Sequence, residues 1–90
     1  MSLHAHEVDR AWEKLGMVIK NTNDRHALFF HDEKLILTTK RSFGSGPIEG
    51  VVQHLIRQQL YLSPIEFKEL IACPLKREGF IEILKTKRKI

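Results

Sequence analysis

Four groups of side chains in this chain could do chemistry. They are His26 and His31 in the run "RHALFFH", the basic residues Arg25, Lys40 and Arg41, the polar set Gln53, His54 and Arg57, and the single cysteine, Cys73. An imidazole ordinarily titrates near pH ~6.5, so it can take and return a proton close to neutrality. RNA carries its own nucleophile, the 2′-hydroxyl. One positioned base with cations around the phosphate is therefore enough chemistry to cut it. His26 is the candidate base, and Arg25, Lys40 and Arg41 are the candidate phosphate cations.

On a strand, alternate residues share a face, so His26, Leu28 and Phe30 point one way and Ala27, Phe29 and His31 the other. The two histidines cannot then converge on one ion, which argues against a metal centre in this hairpin. Nothing in the sequence calls for a cofactor. Leu28 and Phe30 read as core, with His26 where that face runs out. Each group also has a plainer reading. A strand histidine can be a half-exposed side chain, His31 beside Asp32 suits a turn, and Lys40 with Arg41 suits a solvated loop. Gly50, Gln53, His54, Arg57 and Tyr61 share one helical face by the 3.6 period, open to water, RNA or a partner. Cys73 before Pro74 suits packing at a helix end, and no activating neighbour marks it as a nucleophile. Met1 to Leu3 read as a leader, and His4 and His6 are assigned nothing.

The elements that must position these groups follow from the hydrophobic period. Val8, Ala11, Trp12 and Leu15 fall on one helical face, and Gly16 is a natural stop. "MVIK" reads as a short strand and "NTND" as a turn. "RHALFFH" and "KLILTT" are strands joined by "DE", a tight hairpin without the favoured glycine. After the loop "KRSFGSG", Pro47 opens a second helix whose buried side is Ile48, Val51, Val52, Leu55 and Ile56. Ser63, Pro64 and Glu66 cap and open a third, with Phe67, Leu70 and Ile71 facing inward. The expected class is α+β, in the order α-β-β-β-α, a three-stranded antiparallel sheet with helices on one face.

This order, with the strand histidine in "DRHALFFH", the apolar strand "KLILTTKR" and the helices "GPIEGVVQHLIRQQL" and "YLSPIEFKELI", resembles the HicA toxins of toxin–antitoxin systems. The resemblance covers roughly residues 8–71. It implies a double-stranded-RNA-binding-domain-like fold and a metal-independent endoribonuclease that cuts mRNA. It also implies silencing by a HicB-type antitoxin. The family's active histidine follows a Gly-Ser or Gly-Gly pair at the start of the second strand. His26 stands in that place, but the pair here is Asp24-Arg25, and an aspartate repels phosphate. A non-catalytic RNA-binding or protein-interaction module that kept the fold therefore stays open beside the nuclease. A true double-stranded-RNA-binding domain fits less well, since "PIEGVVQ" offers a glutamate where such domains use lysines.

Residues 73–90 lie beyond the resemblance. "GFIEILK" is expected to form a short helix with Phe80, Ile83 and Leu84 packing back on the domain. A strand is the alternative, and a tail that pairs two copies into a homodimer is another. Ninety residues with 42% hydrophobic and 29% charged side chains set one small folded domain spanning 1–90. The net charge of +4 permits a nucleic-acid partner without requiring one, and much of it sits in the closing "KTKRKI". One cysteine excludes an intrachain disulfide, and no apolar run reaches membrane-spanning length. The expected setting is the cytoplasm.

Overall fold

Helix α1, Ala5–Lys14, buries Ala5, Val8, Ala11 and Trp12 along the expected stripe in a computed structural model that describes residues 2–44, 46–72 and 74–90. The reading of Cys73 falls outside the described residues. Gly16 ends the helix with φ +69°, its N–H donating to Glu13 O at 2.9 Å while Met17 N–H donates to Trp12 O at 3.1 Å. That reverse-handed cap turns the chain directly into the sheet.

Strands β1 (Val18–Asn21), β2 (Arg25–His31) and β3 (Lys34–Arg41) form an open antiparallel sheet with β2 in the middle. The β2–β3 turn is made by Asp32 and Glu33, at φ 50° and 65°. Both take the left-handed region that a two-residue hairpin requires and that glycine would adopt more cheaply. Phe29 pairs with Leu37 but Phe30 pairs with Leu35, so Ile36 is an extra residue, a β-bulge.

The bulge and the strand parity decide which face is covered, and this corrects the expectation. Ala27, Phe29, Leu37, Thr39 and Arg41 are buried beneath the helices. Leu28 is only half-buried, while Phe30 and Leu35 are 37% and 50% exposed. Both parities of β2 are apolar, so composition could not choose between them. The bulge then puts Leu35 and Leu37, expected on one face, on opposite ones.

Helices α2 (Gly50–Gln59), α3 (Pro64–Ile71) and α4 (Arg77–Thr86) follow. The start of α2 differs from expectation. Pro47 makes a bridge with His4, Ala5 N–H donates to Gly46 O at 2.9 Å, and Ile48 N–H donates to Leu3 O at 2.7 Å. The segment 46–48 is thus tied up as extended chain before the helix begins. The same bridge corrects the reading of the N-terminus, because Leu3 is fully buried and His4 N–H donates to the Glu7 carboxylate at 2.9 Å. The expected buried side of α2 is also rotated. Ile56 and Leu60 are buried, whereas Val51 and Leu55 are 71% and 47% exposed.

Helix α3 starts as the sequence indicates. Ser63 Oγ accepts from Glu66 N–H at 3.2 Å, and Ser63 N–H donates to Glu66 Oε1 at 2.8 Å. The closing segment is a helix, with Phe80 and Leu84 fully buried and Ile83 half-buried. Phe80 meets Phe29 edge-on at 5.0 Å between ring centroids. Arg77 lies over the Phe29 ring and donates to Leu15 O and Phe30 O. Lys87 donates to Tyr61 O and pairs with Glu66 at 2.7 Å. That lysine, then the Ser63 N–H, holds the Glu66 carboxyl below its ordinary range. These contacts make residues 77–90 part of one shared core.

Candidate functional site

His26 lies near the start of β2, on the face of the sheet that no helix covers. Its pairing partners are Lys20 on β1 and Lys40 on β3, so one row across the sheet reads Lys20, His26, Lys40. Directly paired residues in an antiparallel sheet hold their Cβ atoms about 4.5–5.5 Å apart. Two ammonium groups on flexible stems therefore flank one imidazole. A shallow hollow of about 290 Å³, lined by Lys20, Thr22, His26, Leu28 and Thr38, opens beside it. His26 is half-buried at its floor. Such a row can bind an oxyanion between cations and present a proton acceptor to a hydroxyl beside it.

The next row is Val18, Leu28, Thr38, and the one beyond carries Phe30 and Leu35. The open strand positions in these three rows carry no acidic side chain. An acid does stand at the rim, where Asp24 Oδ2 lies 3.5 Å from Lys40 Nζ.

Of the cations expected around His26, the structure brings one, Lys40. Arg25 and Arg41 pair with each other across the sheet on the covered face, which corrects their assignment as phosphate ligands beside His26. Parity is the reason, since each stands one residue away from the His26–Lys40 pair. Both are held by Asp9 of α1. Arg41 donates from Nε to Oδ1 at 3.0 Å and from Nη2 to Oδ2 at 2.8 Å, and Arg25 Nε lies 3.2 Å from Oδ1 without hydrogen-bond alignment. The remaining nitrogen of Arg41 donates to Ser42 O and Gly44 O. A planar fork that places four N–H bonds on a carboxylate and two carbonyls is a structural brace, and lysine could not replace it.

Lys20 is the site residue that sequence reasoning missed. The signal was present, because counting back from the "NTND" turn pairs Asn21 with Arg25 and hence Lys20 with His26. His31 sits at the far end of β2, 3.4 Å from the Asp32 carboxylate, as a turn residue would. Gln53, His54 and Arg57 come together elsewhere, in a groove that α2 forms with Pro64 and Phe67 of α3. Gly50 and His54 are exposed there, and Gln53 and Arg57 are half-buried. Arg57 Nη1 donates to Leu62 O and Nη2 bonds His54 Nδ1, both at 2.9 Å, and Gln53 donates to Ile48 O. The Arg57 bond to Leu62 O braces the α2–α3 corner, the Gln53 bond ties the start of α2, and the groove shares no lining residue with the His26 hollow.

Among the described residues no three histidine, aspartate or glutamate side chains are grouped to hold a metal ion, and no helix is long and apolar enough to cross a membrane. Comparison with protein-family models, with curated proteins and with solved structures finds no match to this chain.

Proposed function

We propose that the protein is a small endoribonuclease of the HicA-like, double-stranded-RNA-binding-domain-like kind, acting through His26. The observation that carries this reading is the row Lys20, His26, Lys40 on the uncovered sheet face. The helix–three strands–helix order with helices on one side of the sheet supports it as well. Lys20 and Lys40 hold the scissile phosphate and stabilise the charge that builds on its oxygens. His26 takes the 2′-hydroxyl proton as that oxygen bonds to phosphorus and the bond to the 5′-oxygen breaks. The leaving 5′-oxygen takes a proton from water or a flanking ammonium. The products are a 2′,3′-cyclic phosphate and a free 5′-hydroxyl, formed by residues of this chain alone. By the same resemblance the nuclease acts on mRNA in the cytoplasm and is silenced by a HicB-type antitoxin.

Purified protein should cut single-stranded RNA in the presence of EDTA, leaving cyclic phosphate ends. His26→Ala should abolish that activity and keep its melting temperature, since the side chain lies outside the covered core. Cleavage by both proteins alike would sink the assignment. A specific observation favours a second reading, a binding module without catalysis. Asp24 partly neutralises Lys40 and brings a carboxylate to the rim of the phosphate site. RNA binding with no cleavage by either protein would select that reading.

A further inference from the structure

Beyond the His26 row, the open face of the sheet is apolar, and nothing in the proposed chemistry uses that surface. Val18 is 46% exposed, Phe30 37% and Leu35 50%, with Leu28 half-buried between them. We infer that this strip is a base platform: an unstacked single strand of RNA runs along β2, its phosphate at Lys20, His26 and Lys40, with successive bases on Leu28 and Phe30. The inference rests on the proposed nuclease reading for the placement of the phosphate and adds the substrate form and the residues that select it.

Three features of the face commit it to this occupant. First, one cationic row, Lys20 and Lys40, adjoins two largely apolar rows that carry Val18, Leu28 and Thr38 and then Phe30 and Leu35. A single strand held by one phosphate at the cationic row can lay the bases that follow on the apolar rows. Second, the spacing fits successive bases only when they are unstacked. Leu28 and Phe30 are two strand residues apart, about 6.7 Å. Bases in a stacked strand rise only about 3.4 Å. A base on each row must therefore be splayed from its neighbour, which a duplex does not allow. Third, the platform is rigid at its far end. Arg77 donates to Phe30 O at 3.0 Å while stacking on Phe29, so α4 fixes the backbone that presents the Phe30 ring.

The test separates bases from phosphates. Fluorescein-labelled 2′-O-methyl hexauridylate cannot be cut, because its nucleophile is blocked, and an abasic hexamer of the same backbone keeps the charges. By fluorescence anisotropy, Phe30→Ala and Leu28→Ser should weaken hexauridylate binding about tenfold or more. Neither should change binding of the abasic hexamer, whereas Lys20→Ala should weaken both probes. Phe30→Trp should bind hexauridylate more tightly, and its introduced indole should be quenched by the probe. The platform is overturned if wild type binds both hexamers equally, or if Phe30→Ala weakens both to the same degree or neither. It is likewise overturned if wild type sediments as a dimer that Phe30→Ala turns into a monomer. Base-dependent binding without cleavage leaves the platform standing and removes the nuclease. Cleavage that needs His26 but ignores Phe30 does the reverse.

Discussion

On the covered face of the sheet one aspartate holds two arginines; on the open face one aspartate reaches a single lysine. Asp9 takes two well-aligned bonds from Arg41, which is 7% exposed, and a third contact from Arg25. Asp24 stands 3.5 Å from Lys40, whose side chain is 57% exposed. The four cations and His26 all lie within two adjacent pairings of β2 and β3 or their neighbour on β1. Only strand parity separates those that brace the fold from those that lie on the open face. In a half-open sheet, charge on one face is drawn into the brace of the fold, and charge one residue away stays on the open surface.

The sharpest way to break this contrast uses neighbouring phenylalanines. Phe29 is fully buried against Phe80 and under the Arg77 guanidinium, while Phe30 faces out. Phe29→Ala should cost roughly 3–5 kcal/mol in urea unfolding, the usual cost of emptying a large core site. Phe30→Ala should cost about 1 kcal/mol or less. Comparable losses from the two would mean that the faces are not distinct.

Asp9→Ala should come next, at about 3 kcal/mol, because it leaves the buried guanidinium of Arg41 without its counter-charge. RNA binding to protein that remains folded should not change, since Asp9 serves the other face. Arg41→Lys with Asp9 intact should also lose stability, because lysine has no fork to span both carboxylate oxygens and two carbonyls.

How far these two faces could be read from the sequence depended on the element. Signals that act over three or four residues were legible: Gly16 stopping α1, Ser63, Pro64 and Glu66 starting α3, and the helical spacing of Phe80, Ile83 and Leu84. What was not legible required long-range pairing. Leu28 with Phe30 and Ala27 with Phe29 are equally apolar alternatives, and only packing against Phe80 selects the second pair. The bulge at Ile36 has no glycine to announce it. Pro47 is a sound helix opener, but the bridge to His4 claims it, and that bridge joins segments more than forty residues apart. His26 was found as a residue type at a strand start. Its partners were missed or misassigned because register, not composition, chooses them.

The hairpin that holds both faces in register offers a gain. Glu33 sits at φ 65°, a conformation that costs a residue with a Cβ about 1 kcal/mol or more. Glu33→Gly should therefore raise stability by about 1 kcal/mol, visible as a higher urea midpoint with unchanged slope. It should leave RNA affinity alone. A changed affinity would show that the turn itself meets the ligand.

The smallest expected effect on stability returns to the opening pair. Asp24→Asn removes the open-face carboxylate, and an exposed ion pair of this kind contributes little, so the melting curve should move by no more than about 0.5 kcal/mol. Its effect on function should be larger. With the carboxylate gone, Lys40 is released to phosphate and the repulsion at the rim of the hollow disappears. RNA affinity should rise, and the salt dependence should steepen, because one more cation takes part in displacing counterions from the strand. Lys40→Ala in the same background should cancel that gain, since the mechanism runs through the freed ammonium. A gain that survives Lys40→Ala would mean that Asp24 acts by plain repulsion. A loss of affinity in Asp24→Asn would mean that the aspartate positions Lys40 for its ligand.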